Sequence, residues 1–252
     1  MRRLLVLLLG ALSVSAYSQT SEEQLIQSAM QALSTNTSIF LQLTGTDKTD
    51  SLITGYTYST YIDVSQVGSR VYDRVNITAY TGSGIYAKPE VSLIGDGVTL
   101  WRYDYVNNTY SAINYGNYSG NQPSDYTGTL FRYMASMSQG YMSFPIMLLR
   151  QIYGVDHASY QSWMPGVQPA NVLGNVEYSI GNPPRRRISF QMAAGVLTDV
   201  VYDDATTMRG LQKNTDWTMH IVAGPTMNSG LFSFTPPRGA HVIAGPHLVN
   251  RS

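Results

Sequence analysis

The sequence predicts a mainly β chain of α+β type: one strongly curved antiparallel sheet whose concave face is covered by helices. Three observations carry this expectation. Apolar and polar residues alternate with period two over several runs that follow a single N-terminal helical segment. Gly, Asn and Asp turn signals separate those runs at hairpin spacing. The 252 residues include 19 tyrosines, with only 13% charged residues, a composition that suits half-buried strands. No internal repeat and no linker divides the chain, so residues 19–252 are expected to form one domain.

Residues 1–18 read as a cleavable secretory signal. Met1-Arg2-Arg3 is a basic start, Leu4 to Leu12 an apolar run, and Ser13-Val14-Ser15-Ala16 supplies small residues for cleavage after Ala16 or Ser18. A membrane anchor needs roughly 20 apolar residues, about twice this run. No later stretch is apolar enough to span a bilayer. The expectation is a soluble chain working outside the cytoplasm.

Composition excludes several classes. The chain has no cysteine, so it has no disulfide framework and its core must carry stability alone. It also offers no cysteine for lipid modification after the signal. Basic and acidic residues number 16 each, and loss of Arg2 and Arg3 with the signal leaves a slightly acidic chain. That balance gives no electrostatic case for nucleic acid.

The elements follow in order. Ser21 to Leu33 reads as a helix, with Ser21 and Gln24 as a capping box and Leu25, Ile26, Ala29, Met30 and Leu33 on one face. Tyr56, Tyr58 and Ile62 alternate with Thr57, Ser59 and Asp63, and Val71 to Ala79 alternate likewise, both as strands. Val91 to Ile94 and Val98 to Tyr105 flank Gly95-Asp96-Gly97 as a hairpin, since Asp-Gly suits a tight turn that needs positive φ. Asn107-Asn108 is the next turn, before a strand from Thr109 to Tyr115. Asn117 to Gly128 reads as a loop, and Leu130 to Met137 and Ser143 to Tyr153 as helices, the second with Pro145 in its first turn. Arg185 to Met192 and Val196 to Tyr202 flank the turn Ala193-Ala194-Gly195. Asp216 to Ala223 and Leu231 to Thr235 read as the last two strands.

Motifs for catalysis are lacking. His157, His220, His241 and His247 are scattered with no metal-ligand spacing. There is no Gly-x-Ser-x-Gly elbow and no glycine-rich phosphate loop. Asp203-Asp204 reads as a solvated turn after a strand. Arg185-Arg186-Arg187, after Pro183-Pro184, reads as an exposed strand start, with lipid headgroups or an acidic partner as its functional alternative. Asn36, Asn76, Asn107 and Asn117 begin Asn-x-Ser/Thr sequons. The expectation is no enzyme, no metal and no cofactor.

Several segments together resemble a known family. Asp96-Gly97-Val98-Thr99-Leu100-Trp101-Arg102-Tyr103-Asp104 looks like a "DGKTLWxYxP" hairpin, Phe144 to Leu149 is similar to a short apolar helix after the central strands, and Phe232 to Ala240 resembles a closing "FxFTPPxG" strand and turn. With the N-terminal helix ahead of Ile39-Phe40-Leu41-Gln42, these resemble the periplasmic outer-membrane lipoprotein carrier family, the LolA-like fold, across nearly all of the mature chain. The resemblance implies an incomplete β-barrel of about eleven strands, with a helical lid over a hydrophobic cavity for lipoprotein acyl chains. It also implies a monomer that takes its cargo from an inner-membrane transporter and passes it to an outer-membrane receptor. The family's lid-holding arginine precedes a proline and a tryptophan; Arg70 and Arg74 lie in that region without them, and Arg70 is the preferred candidate.

Acyl binding needs concave apolar area, at about 0.8 kcal/mol per buried methylene. Methionine suits such a lining because it is unbranched and polarizable. On this reading Met134, Met137, Ile146, Met147, Leu148 and Leu149 line the lid, and Trp101 and Tyr103 face it from the sheet. The same stripe also fits ordinary core packing under two short helices. The rival function is a lipid-sensing or protein-binding regulatory module on the same fold.

Overall fold

The structure is a computed structural model and describes residues 21–49, 52–63, 74–81, 86–114, 166–181, 185–208 and 211–243. The signal segment, Arg70, the loop from Asn117 to Gly128 and both expected lid helices lie outside the described residues.

Helix α1 spans Ser21–Ser34. Ile26, Ala29, Met30 and Leu33 are buried along it at helical spacing, with Glu23 buried beside them. Leu25, expected on that face, is 47% exposed; a residue one position from Ile26 is rotated about 100° around the helix axis. Ser21 donates its hydroxyl hydrogen bond to Glu22 at 2.8 Å and not within a capping box. Asn36 ends the helix by donating from Nδ2 to the carbonyls of Ala32 and Leu33 at 3.1 and 3.2 Å.

The strands are β1 Ser38–Thr49, β2 Leu52–Asp63, β3 Arg74–Thr81, β4 Lys88–Gly95, β5 Thr99–Asp104 and β6 Thr109–Asn114, then β7 Ala170–Val172, β8 Asn175–Ile180, β9 Arg186–Ala193, β10 Val196–Met208, β11 Leu211–Ala223 and β12 His241–Val242. All twelve belong to one sheet in the order β12-β6-β5-β4-β3-β2-β1-β11-β10-β9-β8-β7. Among the described residues the sheet is curved and open, with β7 and β12 at its edges, and no barrel closes.

Among the described residues every pair is antiparallel except β12 with β6, which is parallel. The expected purely antiparallel sheet is therefore a mixed one. The cause lies in the C-terminal segment, which crosses the sheet before His241 and Ile243 donate backbone hydrogen bonds to the carbonyls of Asn108 and Tyr110.

That crossing corrects a second expectation. Ser229–Phe232 is a 3-10 turn, not the start of a strand. Asn228 caps it by accepting a hydrogen bond from Gly230 at 2.9 Å, and the alternating Phe232 and Phe234 instead seat their rings on the sheet.

Register divides the side chains between two faces. Ile39, Leu41 and Leu43 of β1 lie beside Ile221 and Met219 of β11 and Ile62, Thr60 and Tyr58 of β2. The same face continues through Val75 and Ile77 to Leu93 and Leu100 on one side, and through Val200, Phe190 and Val176 on the other. Nearly all of these side chains are buried and form one core cluster with α1. A bulge between Leu197 and Asp199 lets Leu197 and Val200, three residues apart, both reach that core. Helix α1 packs against β10 and β8.

Candidate ligand-binding face

The α1 side of the sheet is apolar from β8 to β5, nine strands in the sheet order. At about 4.8 Å per strand spacing this face is roughly 38 Å wide. One helix with its side chains covers about 10–12 Å. Beyond the strands that α1 touches, the face is built by Ile62, Val75, Ile77, Leu93 and Leu100, with Tyr56, Tyr58 and Thr60 adding hydroxyls. All eight follow the period-two rule of their strands. Burial pushes the Tyr58 phenol up, with the charge of Glu90 adding to it.

Polar groups mark the far end of this face. Tyr202 stacks on Trp217, ring centroids 5.3 Å apart, and donates its hydroxyl hydrogen bond to Asp204 at 2.9 Å. Arg186 also reaches Asp204, at 3.1 Å. Burial, and then the hydrogen bond to Asp204, pushes the Tyr202 hydroxyl up to about 12. A phenol ionises near 10 when unfolded, so folding favours its protonated form. That contribution to stability is complete below about pH 10 and is lost as pH rises through about 12. The measurable expectation is that Tyr202→Phe flattens the fall in denaturant midpoint between those pH values, and removes a late-titrating component from the phenolate absorbance of the parent.

Asp203-Asp204 is thus no solvated turn. Both residues lie inside β10, and the register sets Asp203 opposite Arg187 and Asp204 opposite Arg186. Arg187 Nε donates to Asp203 at 2.9 Å, and that hydrogen bond raises the guanidinium pKa further. The pairing also accounts for two of the three consecutive arginines. Arg185 begins the same run at an exposed strand start.

Trp101 and Tyr103 point to the face opposite α1. Trp101 is level with Ile94, and Tyr103 with Ser92 and Tyr110, all on that reverse face. Phe234 lies 6.1 Å from Trp101, 5.5 Å from Tyr103 and 5.8 Å from Tyr110 between ring centroids. Tyr103 also donates its hydroxyl hydrogen bond to Asn108 at 2.8 Å. The structure therefore joins Trp101 and Tyr103 to the C-terminal segment and not to α1. Met134, Met137, Ile146, Met147, Leu148, Leu149 and Arg70 lie outside the described residues.

The other arginine of the early region, Arg74, forms an ion pair with the buried Asp63. Its guanidinium also sits 4.8 Å from the centre of the Phe232 ring. Beside it, Asn76 Nδ2 donates to the Leu231 carbonyl at 2.6 Å, so this sequon asparagine holds the C-terminal segment. The sequence reading missed this clamp. Its one visible sign was the repeated aromatic after Leu231.

Among the described residues no group of three or more His, Asp or Glu side chains could hold a metal ion, and no helix is long and apolar enough to cross a membrane.

No family model and no curated protein matches this chain. Among solved structures it is similar to a DUF1329 family protein from Desulfovibrio piger, at 10% identity over 85% of this chain and 98% of that one, with a TM-score of 0.35. It is also similar to a chain of the Pseudomonas aeruginosa MucA/MucB complex, at 10% identity and a TM-score of 0.31, over 85% of this chain and 62% of that one. At these scores neither likeness assigns a function.

Proposed function

We propose that this protein is a non-catalytic periplasmic carrier or chaperone that binds the acyl chains of a lipoprotein or a related amphiphile against the α1 face of its sheet. One observation carries the reading: the apolar face is roughly three times as wide as a single helix can cover. The side chains on it are withdrawn from water, so a ligand enters when the face opens, a hinge-type change. Each methylene then buried contributes about 0.8 kcal/mol, and a long acyl chain needs no polar contact to be held. The export signal and the motif resemblance support the compartment and the cargo class.

A second reading is a protein-binding regulatory module. It is favoured by the edge at β7, whose Ala170–Val172 backbone has a hydrogen-bonded neighbour on one side only among the described residues, a site for strand addition.

Purified protein should carry extractable lipid by mass spectrometry, or take up an acylated peptide in preference to its unacylated form. Preparations that are empty and also discriminate nothing between the two peptides would sink the carrier reading. Tight capture of an unacylated peptide would favour the second.

A further inference from the structure

Two adjacent hairpins of the sheet break the residue rule of their own turns. The pairs Val172↔Asn175 and Ala193↔Val196 leave two-residue loops, Leu173-Gly174 and Ala194-Gly195. All four loop residues have positive φ: 54° and 86° in the first, 51° and 78° in the second. Such turns favour Asn, Asp or Gly at their first position, because a β-carbon is strained there. Here the first positions hold leucine and alanine. Leu173 is 98% exposed, so it bears the strain of a left-handed backbone and is buried by none of the described residues. A surface that covered it would offset that strain.

The surroundings say what kind of surface provides it. By register, both tips lie at the same end of the sheet as the Asp96–Val98 turn and residues 224–228. Extending the β8–β9 register sets Leu173 level with Ala193, so the two tips are roughly 5–10 Å apart by strand spacing. Val172 and Val98, 41% and 55% exposed, add to the apolar rim.

The described charges at this end are already engaged. Asp63 pairs with Arg74, Asp199 with His220, and Asp96 accepts the Val98 and Thr99 amides at 2.8 Å. The opposite end carries Lys88, Glu90, Arg102, Asp104 and the Arg186/Arg187 pairs with Asp204 and Asp203. Exposed Val106 and Val242 belong to that charged end.

We propose that the Leu173 and Ala194 hairpin tips form a membrane-contact rim, inserting shallowly into the interface of a lipid bilayer. Isolated apolar knobs on convex turns bury themselves in a fluid apolar phase, whereas a rigid protein surface must offer a matching pocket for each. Among its described residues the rim has no free cation, so their insertion is apolar. The proposal rests on the carrier reading only for the presence of a membrane nearby. A protein that takes up acylated peptide but ignores vesicles keeps that reading and loses this one; one that binds vesicles but never takes up the peptide does the reverse.

The test is flotation of the protein with phosphatidylcholine vesicles and with vesicles of phosphatidylcholine mixed with phosphatidylglycerol. Both should bind alike, with little dependence on salt. Leu173→Gly and Leu173→Asn should each weaken partition about tenfold, the order expected for one leucine side chain kept out of an apolar phase. The same variants should keep or raise the thermal midpoint, because their residues suit the turn. Val106→Asn, at the charged end, should leave partition unchanged. The proposal is overturned if wild type ignores both vesicles, if the Leu173 variants bind like wild type, or if they unfold at lower temperature. It is equally overturned if ultracentrifugation shows self-association that Leu173→Gly abolishes while vesicle binding persists.

Discussion

Gly45→Val will destabilise the protein by about 3 kcal/mol, near the upper end of the usual cost of overpacking. For a chain of this size that is a fall of roughly 6–12 °C in thermal midpoint. Gly45 is central in β1, level with Tyr56 on one neighbouring strand and Trp217 on the other. A β-carbon placed there would lie 2.6 Å from the Trp217 β-carbon and 2.6 Å from the Tyr56 ring tip and hydroxyl. The tyrosine tip can swing aside, but the Trp217 β-carbon is fixed by the β11 backbone. Replacing a strand glycine ordinarily helps, by about 0.4–1 kcal/mol through the unfolded chain; here the contact is worth more and sets the sign. Gly45→Ala should therefore also destabilise, and Gly45→Ala combined with Tyr56→Ala should cost less than the two separate effects added together. Denaturant midpoints of Gly45→Val, Gly45→Ala, Tyr56→Ala and the double variant decide the matter.

Asp63→Ala should cost about 2–3 kcal/mol and loosen the C-terminal segment. Removing one partner of a buried ion pair costs about 3–5 kcal/mol because the other charge is stranded. Asp63 is buried and the Arg74 side chain is 23% exposed, which places this pair below that range. The stranded guanidinium would regain water by leaving Phe232, so the clamp on residues 229–243 should weaken. Amide exchange should rise first at His241 and Ile243, whose backbone bonds end that segment. Asp63→Leu with Arg74→Met, which removes both charges, should be less destabilised than Asp63→Ala alone. Equal exchange at His241 and Ile243 in the parent and in Asp63→Ala would show that the pair does not hold the segment.

Local pattern made much of this fold legible. The 3.6 periodicity of Ile26, Ala29, Met30 and Leu33 placed α1, and Asp96-Gly97 and Asn107-Asn108 placed two hairpin turns, because those signals lie within a few residues. What failed needed long-range register. Asp203-Asp204 looks like a turn until Arg187 and Arg186 are set opposite it on β9. Alternation shows that Trp101 and Tyr103 share a face; only register shows that this face is the one away from α1, and the expected lid lies outside the described residues. Leu231 to Thr235 alternates like a strand, yet its rings bind the reverse face one at a time. The clash that makes Gly45 indispensable is invisible without the partners on both sides of β1. The strained leucine at position 173 was likewise hidden, since only pairing shows that its turn has two residues.

The central claim is that the α1 face of the sheet, and not the reverse face, receives an acyl chain. A fatty acid carrying a photoreactive group at its methyl end, irradiated with the protein and followed by peptide mass spectrometry, tests this directly. Adducts should fall on β2, β3 and β4 at Thr60, Ile77 and Leu93, and excess natural fatty acid should suppress them. Adducts confined to Trp101, Tyr110 and Phe234, or adducts that excess fatty acid leaves unchanged, would contradict it.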